Sequence, residues 1–109
     1  MGKPTLTPQM LVLVAERFKA LSEPARLTLL NRLRTGEMTV TELVDATGLG
    51  QANVSKHLQQ LHALGFVGRR KEGLYVYYFL ADESVFHLCD VMCGRIEAEH
   101  RARRRMLAS

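Results

Sequence analysis

The sequence predicts a mainly α-helical domain carrying one small β-hairpin, and three observations predict it. Apolar residues recur at helical spacing in about five separate stretches. Between Phe66 and Leu80 the composition turns β-branched and aromatic around a glycine. The stretch from Thr41 to Leu64 reads as two short helices around a Gly-containing turn, which is the helix-turn-helix pattern. Combined, these give a winged helix-turn-helix of about five helices and a two-stranded wing, expected to work as a dimer. With 109 residues, 47% hydrophobic and 24% charged, residues 1–109 form a single domain with a modest core.

Residues Met1 to Leu6 are expected to be loosely held. Thr7-Pro8 is a helix start, a cap followed by proline in the first turn, and Met10, Leu11, Val14, Phe18 and Leu21 follow at helical spacing. Ser22-Glu23-Pro24 breaks that helix and starts another, whose stripe is Leu27, Leu30 and Leu33, backed by Leu29, and which Gly36 ends. Glu37 to Val40 is expected to be an extended link. Thr41 is expected to cap the first helix of the motif, with Glu42 in its first turn, Leu43 and Val44 facing inward and Gly48 stopping it.

The second helix of the motif has two unlike faces. Val54, Leu58, Leu61 and Leu64 share the apolar one. Gln51, Asn53, Ser55, Lys56, Gln59 and Gln60 share the other, and side chains that hydrogen-bond well with little net charge suit the edges of base pairs. Gln51, Ala52, Asn53, Ser55 and Lys56 are the expected DNA-reading positions. His57 and His62 need no special role in this reading. The hairpin is expected from Phe66–Lys71 and Leu74–Leu80, joined through Glu72-Gly73 with Gly73 in the left-handed region.

From Asp82 the chain returns to helix, opened by Asp82 or Ser84. Val85, Leu88, Cys89, Met92, Cys93 and Ile96 form its stripe, and Phe86 and Val91 widen it beyond what one small core needs. Surplus apolar surface on a terminal helix argues for a partner helix, most simply that of a second copy of the chain, and a two-fold reader of an inverted-repeat DNA site needs such a dimer.

The net charge is +4, so its distribution matters more than its sum. Arg69, Arg70 and Lys71 put a basic tip close to the reading helix, an electrostatic footprint for nucleic acid. Arg101, Arg103, Arg104 and Arg105 read as a solvated run favoured by the helix dipole. No apolar run approaches the roughly 18 residues of a membrane span, and no signal peptide is evident, so a cytoplasmic location without membrane contact is expected. No Gly-rich phosphate loop, Ser/His/Asp set or carboxylate pair argues for an enzyme. A winged helix serving only protein interaction or RNA binding would not need the polar face and the basic wing together.

Two cysteines, Cys89 and Cys93, are too few for a disulfide framework, and at four residues apart on a helix they point the same way. At about 100° per residue Ile96, His100, Cys93 and Glu97 lie within about 80° of Cys89, while His87 points elsewhere. Cys89 and His100 are about 16 Å apart along the axis, too far for one ion in one chain, though an antiparallel partner helix would close the gap. Two readings stand level: buried apolar thiols in a dimer seam, or a sensing site at Cys89 and Cys93 with Glu97 and His100 as further metal ligands.

Leu21–Leu33, LSEPARLTLLNRL, and Gly36–Leu80, GEMTVTELVDATGLGQANVSKHLQQLHALGFVGRRKEGLYVYYFL, together resemble the ArsR/SmtB family of bacterial winged-helix repressors. The resemblance runs from about Phe18 to Leu80. It implies that the helix carrying NVSKHL reads the major groove, that the wing follows, and that the first and last helices form a homodimer that releases DNA when an inducer binds. It also implies where inducers bind in relatives, and there the chain departs. Thr39 and Thr41 stand where a cysteine-containing segment would hold soft metals. Asp82 is followed by Ser84 rather than histidine, with Arg95 and Ala98 at the later positions of that second site. Cys89 and Cys93 are what is left for a thiophilic metal, arsenite or reactive sulfur inducer, and no other cofactor is expected.

Overall fold

The computed structural model describes residues 5–108; the expectation for residues 1–4 lies outside it. Helix α1 (Pro8–Leu21) begins where Thr7 Oγ1 accepts from the Met10 amide at 3.1 Å, with Pro8 at the position that has no partner for an N–H. Helix α2 (Pro24–Leu33) restarts after the Ser22-Glu23 break. Next come β1 (Met38–Thr39), α3 (Val40–Thr47), α4 (Gln51–Ala63), β2 (Val67–Glu72), β3 (Tyr75–Leu80) and α5 (Val85–Ala108).

Three local expectations change. The cap of α3 is Thr39, not Thr41: its hydroxyl accepts from the Glu42 amide at 3.2 Å while Glu42 Oε1 accepts from the Thr39 amide at 3.0 Å. This is a reciprocal capping box, and it starts the helix two residues earlier. The supposed link is a strand, so the wing belongs to a three-stranded antiparallel sheet of order β1-β3-β2, with Met38 opposite Tyr78 and Thr39 opposite Tyr77. The hairpin loop is Gly73-Leu74, because Glu72 pairs with Tyr75. Gly73 has φ +59°, the positive value expected of it, while Leu74 has a negative φ, the pattern of a type II′ turn.

The core lies where α2, α3 and α4 meet the sheet. Leu29, Leu30 and Leu33 enter it from α2, Leu43 from α3, Val54, Leu58 and Leu61 from α4, and Val67 and Tyr78 from the strands. Leu29, expected only to back the stripe, is fully buried alongside Leu30, whereas Leu27 turns towards α5 and is half-buried. Leu64 falls just beyond α4 and packs against the core from its rim. Because Thr39 holds α3 at its start, Thr39→Ala is expected to lower the free energy of unfolding by about 1 kcal/mol, whereas Glu42→Gln, still able to accept from the cap amide, costs less. Urea denaturation of the three proteins checks the order.

The terminal helices contribute little. Ala20 is the one buried residue of α1 and Val85 the one buried residue of α5. Met10, Leu11, Val12, Leu13 and Phe18 of α1 and Leu88, Val91, Met92 and Ile96 of α5 are exposed. The radius of gyration is 17.5 Å, against about 13 Å for a compact chain of this length. A single copy leaves two apolar helices projecting from a small core. Among the described residues no helix is long and apolar enough to cross a membrane.

Candidate nucleic-acid interface and thiol groove

Helix α4 is held by its inner face and displays its outer one. Val54, Leu58 and Leu61 have no exposure, while Gln51, Ala52, Asn53, Lys56, Gln59 and Gln60 are exposed and Ser55 is half-buried. Gly48, with φ +74°, ends α3 and donates its amide to Val44 O at 2.8 Å, so three residues suffice to swing the chain into α4. The α4 N-terminus has no side-chain cap, which leaves amides there free for an anion.

His57, expected to be ordinary, is tied into the scaffold. The Arg26 side chain donates from Nε to His57 Nδ1 at 3.1 Å, and from its terminal nitrogen to Lys19 O at 3.3 Å and Ala20 O at 3.0 Å. Glu23 lies 3.5 Å from Arg26 and 3.8 Å from His57. One guanidinium therefore joins the last turn of α1 to the reading helix. Its sequence signal was weak, because Arg26 and His57 are 31 residues apart.

The wing sorts its basic residues onto two faces. Val67, Arg69 and Lys71 share the face of Tyr78 and Val76, the one that packs on the helices at its root, and Arg69 and Lys71 are exposed beyond it. Gly68, Arg70 and Glu72 share the other face with Phe79, Tyr77 and Tyr75. A side chain at Gly68 would run into the outer edge of the Phe79 ring, which lies over the glycine and would have to swing aside. Arg70 is bound by Glu37 through two nitrogens, one at 2.8 Å, and by Glu72 at 2.6 Å. Hydrogen bonding to Arg70 holds the Glu37 carboxyl below its ordinary range, and Arg70 itself is held more firmly protonated by Glu37 and Glu72.

Cys89 and Cys93 are free thiols, the first half-buried and the second exposed. Both line two adjoining grooves where α5 passes α2 and α1. One, of about 360 Å³, includes Leu27, Thr28 and Asn31; the other, of about 330 Å³, is apolar and includes Phe18, Leu88 and Met92. Glu97 and His100 line a separate open depression with Arg101 and Arg104. Among the described residues no group of three or more His, Cys, Asp or Glu side chains gathers to hold a metal ion within one chain. The donor set in one copy is two soft thiols one helical turn apart, which fits a thiophilic ion and leaves further ligands to come from outside the chain. Asp82, expected as the opener of α5, accepts from the Ser84 amide at 2.9 Å and from its hydroxyl at 2.5 Å, bonds that hold its carboxyl below the usual range. Arg34 lies over the Phe86 ring at 4.2 Å and pins the start of α5 to α2.

Residues 23–68 match the model of the family described as bacterial regulatory protein, arsR family. The HTH-type transcriptional regulator NmtR of Mycobacterium tuberculosis is 40% identical over 77 residues, 71% of this chain and 64% of NmtR. The chain therefore spans a little under two thirds of that relative's length. A probable mercury resistance operon repressor of Streptomyces lividans is 39% identical over 88 residues, 81% of this chain and 69% of the relative. Among solved structures, the homodimeric winged helix-turn-helix DNA-binding domain of Mb0332 from Mycobacterium bovis, a possible ArsR-family regulator, superposes with a TM-score of 0.73 at 33% identity, covering 89% of this chain and 90% of that one.

Proposed function

The chain belongs to the arsR family of bacterial regulatory proteins, and from that premise we propose that it is a homodimeric, sequence-specific DNA-binding transcriptional repressor of the cytoplasm that lets go of its operator on sensing an inducer. The observation that carries the proposal is the two-faced α4, inner leucines fully buried and outer amides and Lys56 exposed. Gln51, Ala52, Asn53, Ser55 and Lys56 enter the major groove, and the wing strand with Arg69, Arg70 and Lys71 lies along the backbone. A winged helix used only for protein contact has no need of such an amide-rich face beside a basic strand.

Two copies joined through α1 and α5 would present two α4 helices, so the operator is an inverted repeat with half-site centres about 10 to 10.5 bp, or a multiple of that, apart. Sequencing of genomic fragments retained by the purified protein, with and without nuclease-resistant competitor, tests this. An inverted repeat upholds it; retention of RNA or of random DNA overturns it.

The inducer is proposed to be a thiophilic metal ion or metalloid captured at Cys89 and Cys93, in keeping with the likeness to a probable mercury resistance operon repressor of Streptomyces lividans. Glu97, or His100 from an antiparallel partner helix, is the candidate further ligand. A ligand shifts DNA affinity only by its differential affinity for the two dimer states, typically by about 1 to 3 kcal/mol. Cys89→Ser with Cys93→Ser is expected to bind operator like the wild type yet stay bound when mercuric ion or arsenite is added. Fluorescence anisotropy on labelled operator reads this; equal release from both proteins makes the thiols packing residues.

A further inference from the structure

We infer that Arg70 is a positioning residue that latches the wing to the chain entering β1, and that phosphate contact by the wing belongs to Arg69 and Lys71 on its other face. The inference rests on the DNA-binding reading above and sharpens it.

The wing needs a latch. Strand β2 is an edge strand bonded to β3 alone, and the hairpin runs past the buried root at Val67 and Tyr78 to a tip where Leu74 is 97% exposed. A two-stranded ribbon without a packed face is marginal in water. Nothing in the hydrophobic core dictates the angle of this tip.

Arg70 supplies what the core lacks. It stands opposite Tyr77 on β3, and Tyr77 stands opposite Thr39 on β1. The guanidinium crosses the central strand with its carbon 4.7 Å above the Tyr77 ring centre and reaches Glu37, just before β1, in a two-nitrogen contact. Its remaining terminal nitrogen is taken by Glu72 at 2.6 Å. Both edge strands are thereby joined over the middle one. A lone exposed ion pair is weak, but a bidentate pair stacked on an aromatic ring and shared by a second carboxylate resists exchange with water better.

The same geometry disqualifies Arg70 as a ready phosphate ligand. One cation sits between two carboxylates, so an approaching phosphate meets a site of net negative charge and would have to displace Glu37 first. Arg69 and Lys71 have no ion-pair partner within 4.0 Å among the described residues, and they point from the face that continues from the helices.

Salt dependence separates the two roles, because each lost phosphate contact makes the plot of log affinity against log salt shallower by about 0.9. Arg69→Ala and Lys71→Ala are each expected to flatten that plot by about this amount. Arg70→Ala is expected to leave its slope unchanged while weakening operator binding roughly three- to ten-fold at every salt concentration. Glu37→Gln is expected to weaken it in the same way, with the double variant no worse than either single one. Amide hydrogen exchange of the free proteins supplies a readout that needs no DNA: residues 69–76 should exchange faster in Arg70→Ala and Glu37→Gln and as wild type in Arg69→Ala. If Arg70→Ala flattens the slope, or Glu37→Gln tightens binding by freeing a cation, Arg70 is a phosphate ligand and the latch is wrong. Unchanged wing exchange in both latch variants also overturns it. Faster exchange in a protein that binds no DNA would instead keep the latch and sink the repressor reading.

Discussion

Met92→Glu is expected to convert the protein from dimer to monomer and to weaken operator binding by about 100-fold or more, the scale at which a linked second contact ordinarily strengthens binding. Met92 is 63% exposed in the single chain, so the new carboxylate does not disturb the monomer core. It disturbs the α1/α5 face, where Phe18, Leu88 and Met92 line one apolar groove. Closing a partner over that face would strand two unpaired carboxylates in apolar surroundings, at a cost of several kcal/mol. Sedimentation at micromolar concentration and operator titration are the two measurements. A variant that remains dimeric with undiminished affinity would place the interface on some other surface, and the expectation that α1 and α5 make it would fall.

Leu58→Ala should have the largest effect on the fold itself. Leu58 has no exposure and faces the buried residues of α2 and α3 from the middle of the reading helix. Its truncation removes the transfer free energy of the lost methyl groups and leaves a cavity, together about 2 to 5 kcal/mol. For a domain of this size that is a large part of the total stability. Leu64→Ala, at the half-buried rim beyond α4, should cost less. Denaturation midpoints of the two variants, compared at one protein concentration because dimerisation stabilises by mass action, decide the order. A Leu58→Ala protein as stable as the wild type would mean that α4 does not depend on this face.

The order of elements could be read from local chemistry because each boundary carries its own signal. Thr7-Pro8, Ser22-Glu23-Pro24 and Gly48 act within one turn of where they stand, and the periodicity of Val54, Leu58 and Leu61 depends only on helix geometry. Even the capping box was present as Thr39-x-x-Glu42, obscured because the β-prone Met38-Thr39-Val40 reads as a link. The surplus apolar surface of α5 could likewise be counted from the sequence, since it is an excess over what one core can take.

Tertiary structure alone decided the rest. Whether Leu27 or Leu29 enters the core depends on which neighbours α2 meets, and both lie on an apolar side of the same helix. The third strand exists because β3 offers an open edge to Met38 and Thr39. Arg70 finds Glu37 across 33 residues and Arg26 finds His57 across 31. Caps and periods are short-range, set by the backbone within a turn or two. Ion pairs and shared ligands between elements depend on how those elements pack, and no local pattern of residues specifies that distance.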